Sequence, residues 1–272
     1  MAPNLLDMQI EEILHDVFEA GEGDLYVVNP SGETIEELVH VATAYEDDLP
    51  TIKLLAAERV LKDVMDDFII ASNAADLVEA GTLALRTTEE PPENSLLVTG
   101  DRVVALVTAG DTVGGLVTDD DDFVGTAADA YRAAWEGADE FTLRTPPLSR
   151  VKASLQEEIG PDAEGDFEAV LASLDTARGD GQGLDEVTIS LLVAARNEEL
   201  LYDISKWGED VGIASKATFS RTKTKLEDMG IIDTEKVPID VGRPRLRLKL
   251  GDERLAEADT DQLAGVATSI LN

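Results

Sequence analysis

The sequence predicts an α/β (or α+β) N-terminal domain on a mixed sheet, followed by a C-terminal module of three helices closed by a β-ribbon. Three observations carry this. Between residues 25 and 57, short apolar runs flank a segment of helical spacing, the strand–helix–strand order of layered α/β folds. Residues 83–118 then hold four β-rich segments close together. Beyond residue 184, three stretches of helical period give way to one of strict alternation.

Leu5, Leu6, Ile10, Ile13, Leu14 and Val17 recur at helical spacing, so residues 4–20 are expected to form a helix with one apolar face. LYVVN (25–29) reads as a short buried strand, ETIEELVHVATAY (33–45) as a helix and TIKLLAA (51–57) as a second strand. Further helical stretches are expected over 57–67 and 73–80. LALRTT (83–88), SLLVTG (95–100), RVVALVT (102–108) and TVGGLVT (112–118) are β-rich, punctuated by Pro91-Pro92, Gly100-Asp101 and Gly110-Asp111. The last two dipeptides are of hairpin type. FVGTAADAYRAAWEGA (123–138) has a strong helical pattern, and the domain is expected to close near Pro146-Pro147. Residues 148–178 read as two helices split at Gly160-Pro161, and GDGQG (179–183) as a flexible boundary. The expected layout is an N-terminal helix (1–22), an α/β domain (23–147), a helical connector and linker (148–183), a second domain (184–250) and a C-terminal helix (251–272).

In the second domain, helices are expected over 185–197 and 199–210, the latter with Leu201, Ile204 and Trp207 inward. Val211-Gly212-Ile213 makes a sharp turn, because Gly212 can take positive φ without a Cβ clash. Ser215 stands where an N-cap belongs. A third helix follows with Phe219, Leu226 and Met229 on its inner face, ending at Gly230 as its C′ residue. Ile231 and Ile232 start a strand, VGRP (241–244) makes a tight tip, and RLRLKL (245–250) returns with Arg and Leu alternating, one face basic and one buried.

The bulk composition sets these modules in an unusual charge environment. The 272 residues include 57 acidic against 22 basic, a net charge of −35, while 43% are hydrophobic. The apolar residues come in periodic runs throughout, so the acids are a solvated coat on a folded protein. At about 1 M salt the Debye length is roughly 3 Å, and repulsion within such a coat is screened; in dilute buffer it would weaken the compact state. Scarce lysine with abundant Ala, Val, Asp and Glu resembles the cytoplasmic proteins of salt-accumulating haloarchaea. There are no cysteines, which excludes disulfides and thiolate chemistry. No apolar run reaches the roughly 18–20 residues of a membrane span, and the acidic, amphipathic start is unlike a signal peptide. A cytoplasmic location without membrane contact is expected.

Against this acidic background, Ile213–Lys249 carries nine basic residues and five acidic ones, a net of +4. A basic island of this kind is the electrostatic footprint of phosphate binding. The phrase VGIASKATFSRTKTKLEDMGII, with its turn, Ser cap, Lys-x-Thr, Arg and Leu-Glu-x-x-Gly-hydrophobic ending, resembles the turn and recognition helix of the winged helix-turn-helix families. One departure is Lys223, where those families usually place an apolar residue. Either Thr222 and the Lys stem fill that gap, or the helix is slightly rotated. The resemblance implies that the N-terminal part of the third helix enters the major groove. Ser215, Lys216, Thr218, Arg221 and Thr222 are then the candidates for base edges, with Arg221 suited to guanine. Lys225 joins them as a DNA-binding candidate on that helix, and Arg243, Arg245 and Arg247 in the wing would meet phosphate or the minor groove.

Enzymatic readings are poorly served. Phospholipase-D chemistry needs His-x-Lys, and neither His15 nor His40 has it. GEGD (21–24) and AGDTVGG (109–115) are neither a dinucleotide fingerprint nor a P-loop, and suit hairpin turns better. DDDD (119–122) lacks EF-hand spacing and reads as a helix-capping loop. No catalytic residue, metal or cofactor is assigned. Residues 101–150 resemble the C-terminal part of the sensor domains of TrmB-like archaeal regulators. With the winged helix, the architecture resembles the haloarchaeal TbsP regulator family. That resemblance implies a sensor-like N-terminal domain, a small-molecule effector and control of central sugar metabolism. TrmB-like proteins carry their DNA-binding domain first, whereas here it is last. The expected partners are double-stranded promoter DNA and a second copy of the chain, since such regulators bind paired half-sites as dimers. The helices over 4–20 and 260–272 are the candidate dimer elements. The rival from a different class is a protein–protein scaffold whose winged helix does not bind DNA.

Overall fold

A computed structural model describes residues 4–6, 9–20, 23–90, 92–110, 112–178, 184–239 and 244–271. The chain divides into two compact units, one of residues 1–65 and 73–143, the other of 66–72 and 144–272. The GDGQG segment and most of the VGRP tip, including Arg243, lie outside the described residues.

The first unit runs α1 (Ile10–Ala20), β1 (Asp24–Val28), α2 (Gly32–Ala44), β2 (Thr51–Ala56), α3 (Glu58–Val64), then most of α4 (Phe68–Glu79), β3 (Leu83–Thr87), β4 (Leu96–Val98), β5 (Val103–Ala109), β6 (Thr112–Thr118), α5 (Asp121–Gly137) and β7 (Asp139–Glu140). Its seven-stranded sheet has the order β6-β5-β4-β1-β2-β3-β7. β1, β2 and β3 are mutually parallel; the other neighbours are antiparallel, so the sheet is mixed as its pattern predicts. β1 is apolar on both faces, as a strand buried between layers must be. Tyr26 and Val28 join Leu55, Val98, Val103 and, from α5, Val124 and Trp135 in one cluster. Leu25 and Val27, on the opposite face, are fully buried too.

Local chemistry explains the connections. Gly100-Asp101 makes the β4–β5 hairpin, with Thr99 Oγ1 donating to Asp101 at 2.5 Å. Asp120 caps α5 by accepting from the Phe123 N–H at 3.0 Å, the role read for the DDDD run. Gly115 is needed for close approach, since a Cβ there would lie 2.9 Å from Val104 Cγ1. One expectation is corrected: the helix does not start at residue 4. Leu5 exchanges both backbone hydrogen bonds with Gly115 at 2.8 Å, extending the sheet past β6, and α1 begins at Ile10. An edge strand offers unpaired backbone groups, and these outcompete the amphipathic period of two leucines.

The second unit contains α6 (Leu148–Glu158), α7 (Pro161–Ala172), α8 (Glu186–Arg196), α9 (Leu201–Val211), α10 (Lys216–Asp228), β8 (Ile232–Val237), β9 (Arg245–Leu250), α11 (Glu253–Glu257) and α12 (Thr260–Leu271), together with the first turn of α4. α6 and α7, read from the sequence as a connector, lie in the same core as α8–α10. Trp207 of α9 is fully buried, donates from Nε1 to Ser154 Oγ at 2.9 Å, and meets the Phe167 ring edge-on. Asp67 ties the chain at two places: its carboxylate accepts from the N–H groups of Ile69 and Ala177 and from Thr176 Oγ1, and pairs with Arg178. The apolar residues of α12 are also used internally: Leu263, Ala264 and Ala267 are buried in this core. No helix among the described residues is long and apolar enough to cross a membrane.

Candidate nucleic-acid interface

The α9–turn–α10 unit is built by three local devices. Gly212 closes α9 at φ 95°, in the left-handed region that a side chain resists. The Gly208 carbonyl accepts from Ile213 N–H at 2.8 Å as the chain reverses. Ser215 then caps α10, its Oγ accepting from the Thr218 N–H at 3.2 Å. Phe219, Lys223 and Leu226 point inward. The burial of Lys223 resolves the departure noted in the sequence: its stem fills the apolar slot while Nζ bonds Glu227 at 2.7 Å. Glu227 also accepts from Thr234 Oγ1 at 2.7 Å, pinning α10 to β8. Lys223 and Thr234 together hold the Glu227 carboxyl below its ordinary pKa.

Met229 is a second correction. It sits at the C-cap of α10 and is 37% exposed; Ile231, after the turn at Gly230, fills the core instead. The second helix also starts later than expected. Glu199 and Leu200 pair with β9, through Leu248 N–H to Glu199 O at 2.8 Å and a bridge between Leu200 and Arg247. β8 and β9 form the antiparallel wing, with Glu235 opposite Arg247.

The predicted site residues fall into two groups. Arg221 and Lys225 are exposed on the solvent face of α10, with no carboxylate partner among the described residues. Arg221 Nη2 donates to Thr218 Oγ1 at 3.3 Å, and Thr218 and Thr222 are half-buried at the edge of that face. Outside the predicted set, α10 also exposes Ala217, Ser220, Thr224 and Asp228; Ala217 and Thr224 stand one helical turn either side of Arg221, a spacing legible in the sequence. The remaining predicted cations within the described residues lie against acids. Lys216 Nζ is 2.7 Å from Glu209, whose pKa it lowers. Arg245 pairs with Asp203 at 3.3 Å and lies 4.4 Å over the Tyr202 ring. Arg247 is half-buried, its Nε without a hydrogen-bond partner, opposite Glu235. In the same strand, Lys249 bonds Glu235 at 2.7 Å. The wing strand therefore does not present a bare basic face, and of its leucines only Leu248 is fully buried. Lys236, outside the predicted set, is exposed and without a carboxylate partner among the described residues.

A surface thus emerges around α10 that is small, polar and cationic. From Val211 to Leu226 the chain has no acidic residue, although 57 of its 272 residues are acidic.

Comparison with known proteins agrees with this architecture. A search of curated proteins returns no match. A structure of TrmBL2, described as an archaeal chromatin protein with a novel mode of DNA binding, is 14% identical over 52% of this chain and 54% of its own, with a TM-score of 0.36. The chain spans about half the length of that structure, and likeness at this level carries no weight for fold or function. Family models are decisive. The model of the TbsP-like transcriptional regulator N-terminal domain matches residues 2–146, and that of the TbsP-like C-terminal HTH domain matches 147–268. With both halves matched in order along nearly its whole length, the chain belongs to the TbsP-like family of transcriptional regulators.

Proposed function

We propose that this regulator binds double-stranded promoter DNA sequence-specifically, with α10 in the major groove. The stretch of α10 from Lys216 to Leu226, which holds no acid ahead of the exposed Asp228 in the last turn, carries the proposal: Ala217, Ser220, Arg221, Thr224 and Lys225 combine small polar groups with two cations that have no carboxylate partner among the described residues. Hydroxyls and a guanidinium are suited to base edges, and a lysine to phosphate. Ser215, Lys216, Thr218 and Thr222 complete the DNA-contacting set at the start of α10, and the sequence adds Arg243, Arg245 and Arg247 as further candidates. The protein acts as a homodimer on paired half-sites, and its first unit answers a metabolite linked to central sugar metabolism. The acidic coat suits the cytoplasm of a haloarchaeon, where molar salt screens it.

Selection of bound fragments from a haloarchaeal genomic library in molar KCl, followed by fluorescence anisotropy, tests this. Enrichment of a shared motif, lost with Arg221→Ala, is the expected result. A folded protein that retains no fragment would instead favour a scaffold whose winged helix has lost DNA.

A further inference from the structure

We propose that the Glu209 carboxylate occupies the place of a DNA phosphate at the start of α10, and must release Lys216 before the duplex can dock. The inference rests on the DNA-binding reading and adds an internal competitor to it.

Two donors of one residue converge on this carboxylate. The Lys216 backbone N–H, first of the 13-residue helix, donates to Oε1 at 3.2 Å, and its Nζ donates to Oε2 at 2.7 Å. A helix N-terminus backed by a lysine is a cradle for a singly charged oxyanion. A phosphate oxygen would make the same two bonds. Glu209 reaches there because α9 places it one turn before the Gly212 bend. Its side chain and that of Lys216 are 42% and 44% exposed, so the pair is open to exchange. An exposed ion pair is worth little and is easily given up to a denser array of charge.

The exchange alters the salt response. A lysine meeting a phosphate ordinarily sets a DNA counterion free. Here the released Glu209 becomes a fixed anion beside the duplex and takes up a solvent cation in return. The two terms offset, and Lys216 adds nothing to the salt slope. Asp210, its neighbour on α9, is the matched comparison, because its carboxylate is bonded to Lys206 at 2.5 Å.

The test measures anisotropy of a labelled mixed-sequence duplex with the full-length protein, from about 0.2 to about 2 M KCl. Glu209→Gln removes the charge and keeps an acceptor for the Lys216 N–H. It is expected to bind nearly tenfold tighter at the low-salt end, with the slope of log K against log salt more negative by about 0.9. Asp210→Asn should leave the slope unchanged, and Lys216→Ala in the Glu209→Gln background should abolish the gain. Equal gains from both single variants would reduce the effect to bulk charge and overturn the inference, as would an unchanged slope in Glu209→Gln. Absence of binding by every form, with circular dichroism showing all folded, would remove the DNA-binding reading itself.

Discussion

The backbone of Gly208 lies so close to the ring of Phe219 that a Cβ at position 208 would stand 2.3 Å from Cζ. Both residues are buried, one in α9 and the other in α10, and their contact sets how closely the two helices of the DNA-binding motif approach.

Gly208→Ala is therefore expected to destabilise the second unit. Alanine gains up to about 1 kcal/mol in helix propensity, but overpacking a filled core costs about 1–3 kcal/mol. The Phe219 ring is fully buried, so a shift of the ring must be taken up by its core neighbours. Urea melts at constant molar salt should show a lower midpoint for Gly208→Ala and partial recovery in Gly208→Ala with Phe219→Leu. An unchanged midpoint in the single variant would mean that the helices separate at no cost.

Asp67 is a second structural anchor. Its carboxylate, almost wholly buried, satisfies the N–H groups of Ile69 and Ala177 and the hydroxyl of Thr176. Asp67→Ala leaves those donors without their acceptor, at a cost of about 3 kcal/mol. Amide hydrogen exchange at Ile69 and Ala177 should accelerate, and the melting temperature should fall. Protection equal to that of the native chain would show that solvent replaces the carboxylate.

Glu186 carries a pH prediction. Burial raises its pKa, with Asp185 and Asp66 adding to the rise and a backbone hydrogen bond opposing it. A carboxyl whose folded pKa is raised is tolerated below its unfolded value, near 4.3, and its charged form weakens the fold as pH climbs through the folded value. Glu186→Gln should then melt higher than the native chain at pH 7, with the difference closing as pH falls below about 4. A difference that persists at low pH would point to packing rather than charge.

On α10 and the wing, two arginines should separate specificity from general affinity. Arg221 is exposed and has no carboxylate partner among the described residues, so Arg221→Ala should flatten preference among operator variants by about 1–3 kcal/mol at one base pair. Arg245 is held by Asp203 and Tyr202. Arg245→Ala should weaken all fragments by a similar factor and slightly lower the melting temperature. Competition anisotropy with single-base operator variants reads both; preference that survives Arg221→Ala removes that residue from the base-reading set.

What the sequence determined by itself was chiefly the caps, turns and strand periods that local chemistry closes within a few residues. Gly212 and Gly230 supply positive φ, Ser215 and Asp120 cap helices with their own side chains, and the apolar run of β1 can only be a strand covered on both faces. The mixed sheet and the wing followed from period and turn dipeptides. The tertiary structure alone decided where distant partners compete. Leu5 became an edge pairing because β6, more than a hundred residues later, offers unpaired backbone groups. Arg245 meets Asp203 where the wing packs against α9, and Lys216 meets Glu209 across the turn between α9 and α10. A charge count along the chain sees a basic island, but which of its cations remain free depends on the carboxylates that folding carries to them. Coulomb attraction acts through space, and sequence order does not record those distances.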